Sequence, residues 1–459
     1  MESHLPSGSY TLVPPPPTWS ASSSPDVSLA ELLPQPKDGK VLQIMPYESI
    51  DFDYAAGHPD TCLINSYVIR KALIRKHFLS ATVENWAAKR PESALAAHVK
   101  RSESFEVDYA EFLDDALIEA FDLRDSLEKN EAALAEGKEE EVQWWILKPS
   151  MSDRGQGIRL FCTMEQLQEI FDGWEVESDE EEEEDDDDEN EGKDNDANGE
   201  DGKAHDNNHI TTSHLRHFVA QPYIHPPLLL PELGNRKFHI RTYVLCVGSL
   251  RVYVCRDMLA LFAAKPYQAP SLSGPAADGE ATDPNDNLDA HLTNTCLQTS
   301  LAATTTAAAA TGDANSDMSA QKEEAAGGLV HRLSALPLPA EQLASLQTQI
   351  YTITGDLFEG AARCMPIHFQ PLPQAFEAYG LDFLVDADGK AWLLEVNAFP
   401  DFRQTGKGDA EQVVKGFWEG VIQKAVRPFV TGAEDQDQDQ DQEREDRLVL
   451  VREVDLGRR

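Results

Sequence analysis

The spacing of apolar residues along the chain predicts a mixture of short strands and amphipathic helices. Apolar runs, several of them alternating with polar residues, predict strands within the ranges 41–45, 143–148, 158–162, 218–224, 237–247, 250–256 and 380–396. Apolar residues that recur every three or four positions predict helices within 63–88, 109–126, 341–362 and 410–425. Strand-rich patches flanked by helices indicate an α+β protein of several subdomains, with an α/β subdomain at the N-terminus.

Polar segments of low complexity interrupt this pattern. Residues 1–38 are rich in serine and proline, and we predict a disordered leader there. The globular region then extends from 40 to 430. Within it, three polar segments are predicted to be disordered insertions, at 175–209, 268–289 and 300–328. Residues 431–459 include an Asp-Gln repeat, and they are predicted to form a polar, acidic and disordered tail.

The charge of the chain limits its partners. The 459 residues carry 81 acidic and 39 basic side chains, a formal net charge of −42. This balance argues against DNA and anionic membranes as partners, because both attract clustered lysine and arginine. No apolar run reaches ~18 residues and no charged-then-apolar leader opens the chain, so neither a membrane span nor a signal peptide is predicted. Six scattered cysteines without a C-x-x-C pair are typical of reduced thiols, and we predict a cytoplasmic protein.

The densest group of candidate ligands lies in the last predicted hairpin. Its Asp388-Gly389 pair predicts a two-residue turn. With that turn, Asp382 lies opposite Glu395, and Asn397 follows on the same face. Opposed carboxylates repel unless a cation lies between them, and oxygen ligands suit Mg²⁺ shared with substrate phosphates. The alternative is a surface hairpin with solvated acids. The residues predicted to point into the core are Leu381, Phe383, Val385, Trp392, Leu394 and Val396.

A basic strand face supplies the second candidate. Alternation places Lys237, His239 and Arg241 on one face of the strand, and Phe238 and Ile240 on the other. Taken alone, such a pattern more often indicates a solvated strand face. Beside an acidic face that holds a metal ion, however, it provides what a nucleoside triphosphate requires.

A glycine-containing turn supplies the third candidate. Lys148 ends a predicted strand, and Gly155 and Gly157 allow the backbone to approach a phosphate closely. The chain has no G-x-x-x-x-G-K-[ST] motif, so this is not a P-loop. An ordinary tight turn is the alternative, but the preceding lysine favours a flap that closes over ATP.

These motifs, in this order, resemble those of the ATP-grasp ligases and, more narrowly, of the tubulin–tyrosine ligase family. Lys148-Pro-Ser…Arg154-Gly-x-Gly-Ile158 resembles the phosphate flap of that family, and Gln221-Pro-Tyr-Ile224 resembles its adenine hinge. Further matching segments are Pro227-Leu-Leu-Leu230, Arg236-Lys-Phe-His-Ile-Arg241, His291-Leu-Thr-Asn294 and Leu394-Glu-Val-Asn-Ala-Phe-Pro400. The resemblance covers residues 40–430 and implies an ATP-grasp fold.

The resemblance also implies roles for individual residues. Arg241 would be the catalytic residue that contacts the terminal phosphate or an acyl-phosphate. The residues expected to bind ATP are Lys148, Arg154, Gly155, Gly157, Gln221, Tyr223, Lys237, His239 and Asn294. Those expected to bind Mg²⁺ are Asp382, Glu395 and Asn397.

Three positions depart from the family pattern. The family usually has an aspartate at the position of His239 and a lysine at the position of Pro222. An arginine that holds the amino-acid substrate in the tyrosine ligase falls here at about Leu261. We therefore expect a changed amino-acid pocket. With its polar insertions, the chain resembles fungal members of the family.

The predicted function is that of an ATP- and Mg²⁺-dependent ligase. It would form an amide or peptide bond through an acyl-phosphate and so modify a protein. The expected acceptor is the tubulin C-terminal tail or another protein. The alternative is a catalytically degenerate ATP-binding scaffold that recruits partners, for example in cytoplasmic ribonucleoprotein granules.

Overall fold

The described part of the chain covers most of the predicted globular region. The computed structural model describes residues 10–13, 29, 33, 39–152, 155–174, 216–272, 285, 288–293, 329–398, 400, 402, 409–432 and 446–457. Two of the predicted insertions, 175–209 and 300–328, lie outside these residues, as does most of the predicted leader. Among the described residues, no helix is long and apolar enough to cross a membrane, and each cysteine is a free thiol.

The N-terminal part is a small α/β unit. Its elements are β1 (Val41–Gln43), α1 (Phe52–Gly57), β2 (Cys62–Ile64), α2 (Lys71–Ile74), α3 (Lys76–Lys89) and α4 (Ala94–His98). β1 and β2 pair in parallel. The helix predicted over 63–88 is therefore wrong in its first part, because Cys62, Leu63 and Ile64 are all buried and form a strand between two layers. The backbone of Arg75 is extended, which separates α2 from α3.

A four-stranded antiparallel sheet forms the central part. Its strands are β3 (Glu103–Glu106), β4 (Trp145–Pro149), β5 (Arg159–Phe161) and β6 (His217–Pro222), in the order β3-β6-β4-β5. The helices α5 (Leu113–Ala116), α6 (Phe121–Ala135) and α7 (164–174) contribute apolar residues to a core with one face of this sheet. The helix predicted over 109–126 is interrupted: a 3₁₀ turn covers Ala110–Phe112, and α6 begins only at Phe121.

A seven-stranded antiparallel sheet forms the C-terminal part. Its strands are β7 (Phe238–Val247), β8 (Arg251–Cys255), β9 (Leu259–Phe262), β10 (Val330–Arg332), β11 (Phe376–Val385), β12 (Ala391–Ala398) and β13 (Leu448–Glu453). The central path is β10-β9-β7-β11-β12, and β8 pairs with both β7 and β13. The helices of this part are α8 (Leu288–His291), α9 (Ala340–Cys364), α10 (Asp409–Val421) and α11 (Arg427–Thr431), with a π turn at Ile422–Val426. The helix α9 covers one face of the sheet, and α10 covers part of the other.

The predicted tail differs from the structure. We expected residues 431–459 to be disordered, yet β13 pairs with β8, with Leu448 opposite Cys255. The apolar run Leu448-Val449-Leu450-Val451 follows the polar repeat, and pairing with β8 satisfies its backbone groups. A buried ion pair of 2.9 Å between Lys424 and Asp446 joins the approach to this strand to the π turn.

The predicted leader and the predicted insertion at 268–289 also contribute contacts. The amide of Leu29 donates a hydrogen bond of 3.2 Å to the carboxylate of Asp51. The side chain of Asn285 accepts from the amide of Leu160 at 2.9 Å and donates to its carbonyl at 3.2 Å. Composition alone missed these contacts, because a polar side chain can serve as a hydrogen-bonding partner for a strand edge.

Candidate functional site

The C-terminal hairpin brings Asp382 opposite Glu395, as the sequence predicts. Both lie on the face that carries Asn397. The amide nitrogen of Asn397 donates to the Asp382 carboxylate at 3.3 Å and to the Glu395 carboxylate at 3.2 Å. The two carboxylates and the amide therefore converge on one small space.

The register of the hairpin arises differently from the prediction. Beyond Asp386 the connection has three residues rather than two: the amide of Asp386 donates to the carbonyl of Lys390 at 3.0 Å, and Gly389 has a φ of +77°. Leu384 therefore lies opposite Trp392, and a β-bulge beyond this pair restores the predicted register at Asp382. The prediction was right at the carboxylates because the longer loop and the bulge offset each other.

The bulge also changes which residues of β12 enter the core. Leu393 is fully buried in the core, whereas the prediction placed its neighbours Trp392 and Leu394 there. Leu394 instead lines a cleft, and the indole nitrogen of Trp392 donates to Asp386 at 2.7 Å. The core assignment of Trp392 and Leu394 is therefore wrong, because the extra residue in the bulge reverses the alternation of side chains.

The strand β7 carries the predicted basic face. Lys237, His239 and Arg241 all lie on the side of Asp382, and Arg241 is its direct cross-strand partner. The Arg241 guanidinium binds both oxygens of Asp382, with Nη2 and Oδ2 2.9 Å apart. Burial would lower the pKa of Arg241, but the Asp382 carboxylate outweighs this and raises it. In this structure Arg241 is therefore committed to Asp382.

His239 lies deep in the same face. Its Nδ1 shares a hydrogen bond of 2.6 Å with the hydroxyl of Thr293. Its Nε2 is 3.6 Å from Asp382 and has no hydrogen-bond partner among the described residues. Burial lowers the pKa of His239, although the nearby Asp382 opposes this. A neutral imidazole leaves a polar atom available to a ligand at this position.

Two buried lysines, Lys148 and Lys237, lie in the same region. Among the described residues, neither has a carboxylate in salt-bridge range. Lys148 donates to the side-chain carbonyl of Gln221 at 3.1 Å. Lys237 donates to the hydroxyl of Tyr223 at 2.9 Å, and that hydroxyl shares a hydrogen bond of 2.9 Å with His291. Burial lowers the pKa of Lys148 to about 8 and, together with the charge of Lys148, lowers that of Lys237 to about 7. Such groups gain charge when an anion arrives.

Glu395 is ionised in this setting. Burial would raise its pKa, but the charges of Lys76 and Lys148, with the hydrogen bond from Asn397, lower it to about 2. The pKa of Glu395 therefore reports a cationic surrounding. Lys76 begins α3, where the helix dipole disfavours a positive charge. That placement is the sequence signal that could have included Lys76 in the site, which the motif comparison did not.

These side chains line one cleft between the central and C-terminal sheets, which we call the central cleft. Its polar lining includes Lys148, Gln221, Tyr223, Lys237, His239, His291, Thr293, Asp382 and Glu395. An adjoining cavity is lined by Lys76, Ser150, Gly155, Glu395 and Asn397. Gly155 and Gly157 have φ of +83° and +68°, a backbone that favours glycine. The structure therefore brings together most of the predicted site, while Arg154 and Asn294 lie outside the described residues.

The other two departures from the family pattern are Pro222 and Leu261. The amide of Tyr223 donates to the carbonyl of Trp144 at 2.8 Å, and Pro222 has no N–H. Neither residue therefore offers a free backbone N–H to adenine at the hinge. Leu261 lies directly opposite His239 and is buried in the apolar cluster under α10. The side chain of an arginine at position 261 would contact the apolar residues of this cluster.

The donor set fits a magnesium ion bound together with phosphate. The convergence of Asp382, Glu395 and Asn397 offers hard oxygen ligands. No cluster of three or more histidine, cysteine or acidic side chains suited to a metal occurs among the described residues. Two carboxylates are what Mg²⁺ uses when substrate phosphates supply further ligands. The buried lysines and the unpartnered nitrogen of His239 fit the phosphate half of that arrangement.

Known proteins are similar to this chain over more than half of its length. A probable tubulin–tyrosine ligase of Saccharomyces cerevisiae, PBY1, is 42% identical over 410 residues, which cover 88% of this chain and 49% of the relative. This chain thus spans about half the length of that relative. A probable tubulin–tyrosine ligase of Schizosaccharomyces pombe is 42% identical over 83% of this chain and 82% of its own length. A probable tubulin polyglutamylase of mouse, TTLL9, is 25% identical over 58% of this chain.

A solved structure is similar to the chain as well. The C-terminal domain of K. lactis Pby1, described as an ATP-grasp enzyme interacting with the mRNA decapping enzyme Dcp2, superposes with a TM-score of 0.60 and 34% identity. The match covers 92% of this chain and 90% of that one, so the fold is an ATP-grasp fold. The model of the tubulin-tyrosine ligase family matches residues 63–436. The chain belongs to the tubulin–tyrosine ligase family.

Proposed function

We propose that this protein is an ATP- and Mg²⁺-dependent ligase that joins a carboxylate to an amine on a protein substrate. The observation that carries the proposal is that two buried lysines and a pair of opposed carboxylates line one cleft. Among the described residues, no carboxylate lies within salt-bridge range of either lysine. Neither group is favourable alone in a protein interior. Together they suit a bound triphosphate and a divalent cation.

Each side chain has a specific task in this proposal. Lys148 and Lys237 bind phosphate oxygens, and the glycines at 155 and 157 let the flap approach them. Asp382, Glu395 and Asn397 would hold Mg²⁺, and its charge would offset that of the phosphates. Arg241, which is paired with Asp382 in this structure, would bind the transferring phosphoryl group.

The reaction has two steps. A carboxylate oxygen of one substrate attacks the γ-phosphorus of ATP, the bond from that phosphorus to the bridging oxygen breaks, and ADP leaves. An amine nitrogen then attacks the acyl carbon, the bond from that carbon to the phosphate oxygen breaks, and phosphate leaves. The nitrogen loses a proton and an amide remains. The protein mainly positions the reactants and stabilises charge on the phosphoryl group.

The acceptor we propose is the tubulin C-terminal tail or another protein. The tubulin assignment rests on the names of relatives, a probable tubulin–tyrosine ligase and a probable tubulin polyglutamylase. The net charge of −42 does not favour an acidic tail, so docking would depend on the local cations near Lys76. We place the activity in the cytoplasm.

Hydroxylamine trapping tests the ligase proposal. Hydroxylamine replaces the amine and converts an acyl-phosphate to a stable hydroxamate. The protein is incubated with Mg²⁺, ATP, hydroxylamine and a panel of peptides that includes acidic tubulin tails and apolar C-termini. The proposal predicts hydroxamate and ADP in equal amounts, dependent on both ATP and peptide. ATP binding without hydroxamate from any peptide would contradict ligase activity.

A second candidate is a scaffold that binds ATP without ligase activity. It is favoured by His239, a neutral group where the family usually has a carboxylate, and by the ion pair that occupies both Arg241 and Asp382. The related K. lactis domain is described as interacting with a decapping enzyme, which suggests recruitment of partners in cytoplasmic ribonucleoprotein granules. Nucleotide-dependent partner binding, with no ADP released in the trapping assay, would support this candidate.

A further inference from the structure

A second cavity opens beside the central cleft. It has a volume of about 440 Å³ and lies between the helices α3 and α4 and the strands β4 and β6. Cavities of this size are typical of small-ligand sites, which run from ~300 to 1,000 Å³. It shares Lys148, Gln221 and Leu394 with the central cleft, and it shares Lys76 with the cavity beside the flap. We call it the apolar cavity.

The walls of the apolar cavity are hydrophobic. Its apolar lining includes Leu79 and Val83 of α3, Leu95 of α4, Val99, and Val219 of β6. These residues already belong to well-packed elements, yet they leave an open space that faces solvent at one side. A side chain that enters this space loses contact with water, so an apolar one is favoured and a charged one is disfavoured.

The charged groups of the apolar cavity are almost all cationic. Lys148 is buried, and Lys76 also lines the adjoining cavity that contains Glu395. Lys100 is half-buried and Arg101 is exposed. Among the described residues of the lining, Glu84 is the only acid, and its carboxylate is 4.0 Å from Arg101. Arg101 also pairs with Asp122 at 3.1 Å, so Lys76 and Lys148 are the cations left for a ligand. The complementary ligand therefore has an apolar body and an anionic end.

We propose that the apolar cavity binds the carboxylate substrate, and that the substrate ends in an aliphatic or aromatic residue rather than an acidic one. The terminal carboxylate binds Lys76 and Lys148, and the last side chain lies between α3 and β6. Because Lys148 also lines the central cleft, the carboxylate meets the nucleotide phosphates at that side chain. This inference rests on the proposed ligase function and specifies the substrate class of the same site.

The test compares three small probes on the full chain by NMR titration without nucleotide: N-acetyl-L-leucine, N-acetyl-L-glutamate and N-acetyl-L-leucinamide. Burial of the leucine side chain should give the first probe at least ~10-fold higher affinity than the second. The amide, which lacks the carboxylate, should bind at least ~10-fold more weakly than the acid. Equal or tighter binding of the glutamate probe would overturn the proposal.

A matched pair of variants tests the location. Ala96 lines the cavity, and Ala97, next to it on α4, does not; both are exposed, so neither substitution disturbs a packed core. Ala96→Phe should reduce N-acetyl-leucine affinity at least ~10-fold by filling the space, and Ala97→Phe should leave it unchanged. An equal effect of the two variants, or no effect of the first, would place the probe elsewhere and overturn the proposal.

A second pair tests the carboxylate contact. Lys76→Met should weaken binding of N-acetyl-leucine while leaving the weak binding of the leucinamide unchanged. Lys89→Met, at the far end of the same helix and outside the cavity, should change neither. An equal loss for the acid and the amide would show that Lys76 does not bind the carboxylate.

Failure of this proposal is separable from failure of the ligase proposal. Hydroxamate formation from acidic but not from apolar C-terminal peptides would overturn the substrate class and keep the ligase. Binding of N-acetyl-leucine that depends on Ala96 and Lys76, with no hydroxamate from any peptide, would support the cavity and contradict the ligase.

Discussion

The two halves of β7 present opposite chemistry on one face of one strand. Lys237 and His239 line the central cleft, and Arg241 binds Asp382 of its lining. Tyr243 and Leu245, next on the same face, lie instead in an apolar cluster with α10. Exposure does not separate them, since His239 is 2% exposed and Tyr243 0%. What differs is the covering layer: side chains of α10 cover the second half, and the cleft lies over the first. Burial alone therefore does not distinguish core from site.

The difference has an energetic meaning. Apolar residues under α10 stabilise the fold by burial. The cations of the first half lose hydration without gaining a carboxylate partner, except where Arg241 binds Asp382. Without a bound anion, the first half of β7 therefore lowers the free energy of unfolding, and the second half raises it. Substitutions in the two halves should separate function from stability.

The largest expected effect is a loss of turnover when Glu395, a carboxylate beside the first half of β7, is replaced. Glu395→Gln keeps the shape of the side chain and removes its charge, so turnover of Mg·ATP with a competent substrate should fall at least ~100-fold. The melting temperature should change little. Glu341→Gln, an exposed position at the start of α9, is the control. Unchanged turnover in Glu395→Gln would remove the metal assignment.

The next effect is on stability in the second half. Phe417 of α10 is fully buried, and its ring centroid is 5.3 Å from that of Tyr243. Phe417→Ala should lower the free energy of unfolding by ~3–5 kcal/mol, because it leaves a cavity in the core. Urea denaturation measures this loss. ATP affinity, measured well below the melting temperature, should remain that of the wild type. A parallel loss of ATP affinity would show that the two halves are not separable.

A smaller effect is expected at the buried lysine of the first half. Lys237→Met should weaken ATP binding about 10- to 100-fold, the range for one hydrogen bond to a charged group. The same change should maintain or raise stability, because it removes a buried charge. Calorimetric titration and thermal melts measure the two quantities. The exposed Lys415→Met on α10 is the control. A large loss of stability without a change in ATP affinity would assign Lys237 to the fold.

The smallest effect concerns pH. In the free protein the pKa of Lys237 lies at about 7 and that of Lys148 at about 8. Phosphate raises both values, so ATP binding should take up protons between about pH 7 and 9, and affinity should fall as pH rises through this range. Titrations in two buffers of different ionisation enthalpy measure the uptake, and Lys237→Met should reduce it. Proton release on binding would contradict the role of the lysines.

Much of the site could be predicted because it lies on regular strands. Alternation alone put Lys237, His239 and Arg241 on one face, and a turn signal put Asp382 near Glu395. The pairing of Asp382 with Glu395 depended on a longer loop and a β-bulge, whose changes to the strand register offset each other. No local sequence pattern reveals either one. The same bulge made the assignment of Leu394 wrong.

The rest of the site depends on contacts between distant segments. Tyr223 lies in the segment that resembles the adenine hinge, and in the structure its amide donates to Trp144 and its hydroxyl accepts from Lys237. The strand Leu448–Glu453 was missed because composition was averaged over a polar tail. Asn285 contacts a strand edge through its side chain, and the sequence carries no periodicity that marks this. Such features arise only when the chain has folded.

The most direct test of the central claim is a calorimetric titration of ATP, with and without Mg²⁺, onto the wild-type protein and Glu395→Gln. If the cleft beside the first half of β7 binds Mg·ATP, the wild type binds one ATP per chain. Mg²⁺ should then increase the affinity of the wild type but have little effect on that of Glu395→Gln. Absence of ATP binding by the wild type, or an equal gain from Mg²⁺ in both proteins, would contradict the assignment of this cleft.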